Sequence, residues 1–161
     1  MDFLYDNNYL YLTSRVFDND IIANTDNNDG VRFFIDADDV SDTTIQTGMY
    51  RFFFDTNGTV AFAYGEDGAY KEGAKTSGIL YSTDVRSECY FLEVAIPWRL
   101  LGKTEPPVEK RMAIAVEIVN RQTASTVTER IPDIDTNASW TWLEFKLTPR
   151  NETGIEMPSQ E

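Results

Sequence analysis

The apolar and aromatic residues of this chain come in short bursts separated by clusters of Asn, Asp, Gly and Thr, and several of the bursts alternate apolar with polar. A period of two is the pattern of strands with one buried face, because successive side chains of a pleated strand point to opposite sides. Residues 9–17, YLYLTSRVF, follow the turn signal Asp6-Asn7-Asn8, with Phe3-Leu4-Tyr5 as the expected hairpin partner. GVRFFID (30–36) and MYRFFFD (49–55) each end at an acidic turn, and their Phe runs predict central positions in a sheet. Asn57-Gly58 lies between the second of these and residues 59–64, the strongest short-range hairpin signal, because both residues tolerate positive φ. Strands are also predicted over 79–81, 89–96, 111–120 and 142–147. Pro97 ends the 89–96 strand and opens a helical turn at Trp98. Residues 65–78 read as a loop or a weak edge strand, 121–139 as a long polar loop, and 149–161 as a polar tail.

At 161 residues the chain suits one domain, since a core of that size buries roughly 70% of the surface of the unfolded chain. Hydrophobic residues make up 42% and aromatic ones 13%, a folding composition. With 14 Lys and Arg against 27 Asp and Glu, the net charge of −13 opposes nucleic acid and anionic membranes as partners. There is no histidine, which removes the commonest general base and transition-metal ligand and the Ser-His and Cys-His nucleophile pairs. Cys89 has no partner for an internal disulfide, and its apolar neighbours predict a buried thiol. The sequence contains no apolar run long enough to span a membrane and no signal-peptide pattern.

The order of signatures carries more than any one of them. YDNNYLYLTSRVFDNDI, NDGVRFFID, MYRFFFD, YFLEVAIPWRLL, MAIAVEIVN and WTWLEFKL occur in that sequence along the chain, and the segment Glu93 to Trp98, EVAIPW, is the most specific piece. The series resembles the family 9 carbohydrate-binding modules over about residues 1–148. The resemblance implies an antiparallel β-sandwich of jelly-roll type, usually opened by a strand ahead of the first motif, which this sequence does not contain. It also implies a non-catalytic module, extracellular or periplasmic, that holds a glycan or glycan end beside other domains of a polysaccharide-processing protein. In such modules two tryptophans clamp a terminal sugar, stacking on its C–H faces while polar side chains fix its orientation. Asp26 and its neighbours stand where the first tryptophan would be, so that platform is missing. Trp140 and Trp142 both compete for the second, Arg51 falls on a sugar-contacting arginine, and Met49 stands where an amide would be.

Each candidate has a plainer alternative. Trp98 reads as core, Trp142 as core or ligand platform, and Trp140, at a loop end, as a sugar platform or an edge cover. Arg51 fits a sugar contact or a cross-strand partner of Glu144 or Glu117. Tyr64 and Tyr70, flanking a Gly-rich loop, are candidates for a replacement platform. The acids Asp18 and Asp20, and Asp36, Asp38, Asp39 and Asp42, suit calcium, which family members often carry, or they cap turns. Pairs such as Glu93 with Glu117 are too easily found among 27 acids to indicate a glycosidase. Two further functions stand beside sugar binding. One is an interaction or packing domain that has lost it. The other is a haem-binding relative of the fold, with Met49 or Met112 and a lysine such as Lys75 on the iron. The sequons at Asn57, Asn137 and Asn151 matter only in a eukaryotic secretory route.

Overall fold

A computed structural model describes residues 2–74, 76, 78–122, 125–131 and 134–149, with the backbone alone at 122 and 125–131. The chain forms strands β1 (Asp2–Tyr5), β2 (Tyr9–Phe17), β3 (Gly30–Asp36), β4 (Met49–Asp55), β5 (Val60–Glu66), β6 (Ala69–Glu72), β7 (Leu80–Val85), β8 (Cys89–Pro97), β9 (Arg111–Gln122), β10 (Ser125–Ile131) and β11 (Leu143–Lys146). Two 3-10 turns, Trp98–Leu101 and Ser139–Thr141, complete the list. No described helix is long and apolar enough to cross a membrane.

The strands build the expected antiparallel sandwich. The smaller sheet runs β1-β2-β8-β7 and the larger β10-β9-β3-β4-β5-β6, with β11 paired to β9 below β10. Leu10, Leu12, Leu92 and Ile96 from the smaller sheet meet Phe33, Ile35, Phe52, Phe54 and Ile114 from the larger in one buried layer. The phenylalanines pack in edge and stacked pairs, Phe33 against Phe54 at 6.0 Å and Phe52 against Phe62 at 5.0 Å between centroids. Truncating any one of them to Ala in such a core costs about 3–5 kcal/mol. Cys89 is buried, as its neighbours imply.

The first sequence signature and the EVAIPW segment turn out to be one device. Asp6 accepts the backbone N–H groups of Asn8 and Tyr9 at 2.7 and 2.8 Å, and the Tyr11 hydroxyl at 2.7 Å, which fixes the β1–β2 turn. Trp98, sealed in the core, donates its indole N–H to the Asp6 carbonyl at 2.9 Å and its backbone N–H to the Asn8 carbonyl at 3.0 Å. The Pro97 turn is thereby bolted to the turn of the neighbouring β1–β2 hairpin.

The structure refines two expectations, the hairpin after β4 and the edge strand within 65–78, and corrects a third. The β4–β5 hairpin forms, but Asp55 donates its backbone N–H to the Thr59 carbonyl around three intervening residues, and only Gly58 of the Asn57-Gly58 pair has positive φ. The two-residue turn with both positions at positive φ is instead Asp67-Gly68, at 51° and 81°, which joins β5 to β6 and makes 65–78 part hairpin, with β6 as the edge strand. Within 121–139, expected as loop, β10 pairs with β9 from Ser125↔Gln122 to Ile131↔Val116. Of the tail, residues 150–161 lie outside the described residues.

The Asp6–Trp98 device predicts a specific loss. Trp98→Phe keeps the ring in the core and removes the indole N–H bond, so stability in a urea melt should fall by about 1–2 kcal/mol. Asp6→Ala, which removes three acceptor contacts at one turn, should cost at least as much.

Candidate functional site

The pleat decides which side chains reach the outer face of the larger sheet. Since Phe33, Phe52 and Phe54 point inward, Arg32, Arg51 and Phe53 point outward. The antiparallel register then places Arg32 opposite Phe53, and Phe34 opposite Arg51, with Ala61 and Ala63 next on β5 and Glu72 beyond on β6. Arg32, Arg51, Phe53, Ala61 and Glu72 line a depression of about 230 Å³ whose floor is kept low by the alanine. The larger depressions of the surface lie elsewhere, around residues 7 and 97–110.

The two arginines differ in what holds them. Arg32 pairs with Glu117, whose side chain is only 3% exposed, and lies 5.4 Å above the Phe53 ring. Burial lowers the Arg32 pKa, while the Glu117 carboxylate works in the opposite direction. Arg51 bonds Glu72 at 2.9 Å, and its guanidinium stacks 4.9 Å from the Tyr70 centroid. Glu72 is 73% exposed, so this pair is worth only about 0–1 kcal/mol and yields readily to a ligand. Burial raises the Tyr70 pKa, and its hydroxyl is enclosed without a partner among the described residues.

One end of this face is closed by a second small core. Phe34 lies between Tyr70, at 6.1 Å, and Trp142, at 5.8 Å, over Ala113 and Ala115, with Ile45, Met49 and Ile134 completing the cluster. Trp142 is 4% exposed and gives its indole N–H to the Asp135 carbonyl at 2.9 Å, so it is a packing residue with no free face for a sugar. Trp140 is 60% exposed, beside Asp42, whose carbonyl accepts its backbone N–H at 3.4 Å. It stands two residues before Trp142, which packs on this face, and outside the lining of the depression.

Other predicted groupings do not assemble. Tyr64 pairs with Lys71, so Tyr70 projects from the opposite side of the sheet and the two tyrosines form no common platform. Arg51 pairs with neither Glu144 nor Glu117; Arg111 faces Glu144 at 3.6 Å. Glu93 and Glu117 belong to different sheets, so they are not on neighbouring strands. Met49 is buried on the outer face, its sulfur accepting the Gln46 N–H at 3.3 Å, and Met112 is buried between the sheets, while Lys75 lies outside the described residues.

The acids act as turn acceptors. Asp36 takes the backbone N–H groups of Asp38, Val40 and Ser41 at 3.0–3.3 Å, and Asp42 those of Thr43 and Thr44. Hydrogen bonds from Thr44 and Thr43 hold Asp42 below the usual carboxylate range. Asp18 accepts the Asp20 N–H, Asp38 pairs with Lys103, and Asp39 sits at φ 51° in the same loop. Among the described residues no three acidic side chains converge as a cation cage. Asp29, where the sequence lacks its tryptophan nearby, is fully buried; burial raises its pKa against backbone bonds from Arg121 and Ile22.

The sequence profile described as carbohydrate family 9 binding domain-like matches residues 1–144, and the chain belongs to that family. Two solved structures share the fold. A family 9 carbohydrate-binding module from Caldicellulosiruptor kristjanssonii in complex with cellotriose has a TM-score of 0.74 at 16% identity, over 96% of this chain and 77% of that one. One from the same organism in complex with glucose has a TM-score of 0.68 at 15% identity, over 93% and 76%. No curated protein matches the chain.

Two measurements test the role of the acids. Asp55 is buried, which favours its neutral form, yet bonds from Thr59, Asn28 and Asn57 overcome this and depress its pKa. Its contribution is therefore present above the unfolded value of about 4 and disappears as the pH falls through the lower folded value. Asp55→Asn should flatten the acid limb of a stability-versus-pH curve. Calcium, for its part, should leave Tm unchanged relative to chelator if the Asp36–Asp42 loop is held by capping alone; a calcium-dependent rise would show a bound ion.

Proposed function

We propose that this protein is a non-catalytic carbohydrate-binding module that holds a glycan or glycan end on the outer face of its larger sheet. Family membership supplies the class, and the Arg51–Tyr70–Glu72 group is the observation that supports this location. A guanidinium stacked on an aromatic ring presents several donors in a fixed plane to sugar hydroxyls, and its weak exposed ion pair costs little to rearrange. Phe53 offers an apolar patch between the arginines, and the exposed Trp140 serves as the platform for a sugar C–H face. Cellotriose and glucose, bound by the related modules, are the first ligands to try. Operation outside the cytoplasm beside a polysaccharide-processing domain is the setting that the family resemblance supports.

A second reading, a packing or interaction domain without sugar binding, is favoured by one observation: the burial of Trp142 leaves a single exposed indole. Isothermal titration with cellotriose, backed by a glycan array, separates the two. Arg51→Ala should weaken binding roughly tenfold or more, the value of a charge-assisted hydrogen bond. Trp140→Ala should weaken it by a comparable factor if the ring is the platform. Absence of any glycan binding by the unmutated protein would establish the second reading.

A further inference from the structure

A second groove, whose lining does not include Arg51, lies where the β1–β2 turn meets the chain that follows β8. Two depressions, of about 750 and 440 Å³, share Asn7, Lys103 and Thr104 and form one continuous trough. Its walls are held by specific bonds. The Asp6 cap and the Trp98 indole hold one side, and Pro106-Pro107 stiffens the other. A site built on such walls loses little conformational freedom on binding.

The lining has a composition that the chain as a whole does not predict. Acids outnumber bases 27 to 14 overall, yet Arg99, Lys103 and Lys110 line the trough against one acid, Glu105. Lys103 is engaged by Asp38, whereas Lys110 is exposed and has no ion pair among the described residues. Beside these cations stand the neutral polar side chains of Asn7, Asn8 and Thr104, and the half-buried ring of Tyr9, which lies 6.0 Å from Tyr11. Cations alone would suit any anion. Amides, a hydroxyl and an aromatic face in addition match a ligand that carries hydroxyls and C–H faces as well as negative charge.

We propose that this trough is a second binding site, specific for an anionic saccharide bearing carboxylate groups, such as a uronate chain. Lys110 meets a carboxylate, Asn7 and Thr104 the hydroxyls, and Tyr9 the sugar face. The net charge of −13 repels polyanions at long range, and salt screens that repulsion as well as the local attraction, so recognition has to come from short-range contacts within the trough.

The probe is an oligogalacturonate titrated into the whole protein by calorimetry, with cellotriose and oligo-aspartate as comparators. The unmutated protein should bind oligogalacturonate more tightly than either comparator. Lys110→Ala should weaken that binding roughly fivefold, as loss of one surface charge contact does. Tyr9→Ala should weaken it roughly tenfold. Arg51→Ala should leave it unchanged, which separates this site from the outer face of the larger sheet. The proposal is overturned if oligogalacturonate does not bind, or if its binding ignores Lys110→Ala and Tyr9→Ala. Loss of binding on Arg51→Ala would overturn it equally by assigning the anion to the other face, and so would oligo-aspartate binding as tightly with no dependence on Tyr9.

Discussion

The register of the β3–β4 pair is the constraint on which both core and candidate site depend. Phe33, Phe52 and Phe54 occupy the inter-sheet layer, so the intervening Arg32, Arg51 and Phe53 have only the outer face available. Slipping β4 by one residue would send the Arg51 guanidinium into an apolar layer and the Phe52 and Phe54 rings toward water, at a cost far above any local gain. Core packing and presentation of the arginines are thus enforced by the same hydrogen-bond ladder. The two strands carry nearly the same word, VRFFID and YRFFFD, and antiparallel pairing sets each arginine opposite a phenylalanine of the other.

Within that shared geometry the arginines divide their work by burial. Glu117 is buried, and breaking a buried ion pair by removing one partner typically costs about 3–5 kcal/mol. Arg32 is accordingly committed to the fold. The partner of Arg51 is largely in water, and the pair contributes about 1 kcal/mol at most. A sugar hydroxyl competes against that small energy, whereas it cannot displace Glu117 without the larger cost. Under the proposed function, the contrast suits Arg51 to recognition and Arg32 to structural support, although the two side chains line one depression.

Most of the sandwich was legible because its strands are written in alternation and in Phe-rich bursts, and the family signatures agree with the Asp6–Trp98 bond that joins them in space. The losses have particular causes. The polar residues 125–131 hid an edge strand, for an edge needs only backbone pairing on one side and can present polar side chains. Asp67-Gly68 was a hairpin signal as good as Asn57-Gly58, and counting outward from it separates Tyr64 from Tyr70 by parity. Arg51 was singled out from its place in a motif. Glu72 and Ala61 were not, because their proximity to it arises only after two further strands have paired. The turn acids were ambiguous because a carboxylate that suits a cation equally suits backbone N–H groups.

The two tryptophans near the last strand show how a packing residue sets the position of an exposed one. Strand alternation would place Trp140 and Trp142 on the same face, but residues 139–141 form a 3-10 turn, in which positions two apart diverge. Trp142 falls onto Phe34, and its indole N–H binds the Asp135 carbonyl, anchoring both ends of the short segment between them. Ser139 bonds the Asp42 N–H from the same turn, and Trp140 adds its own backbone bond to the Asp42 carbonyl. The exposed ring is therefore carried on a backbone fixed at three points. Burying one indole removes a potential sugar contact and in exchange fixes the segment that carries the other, exposed one.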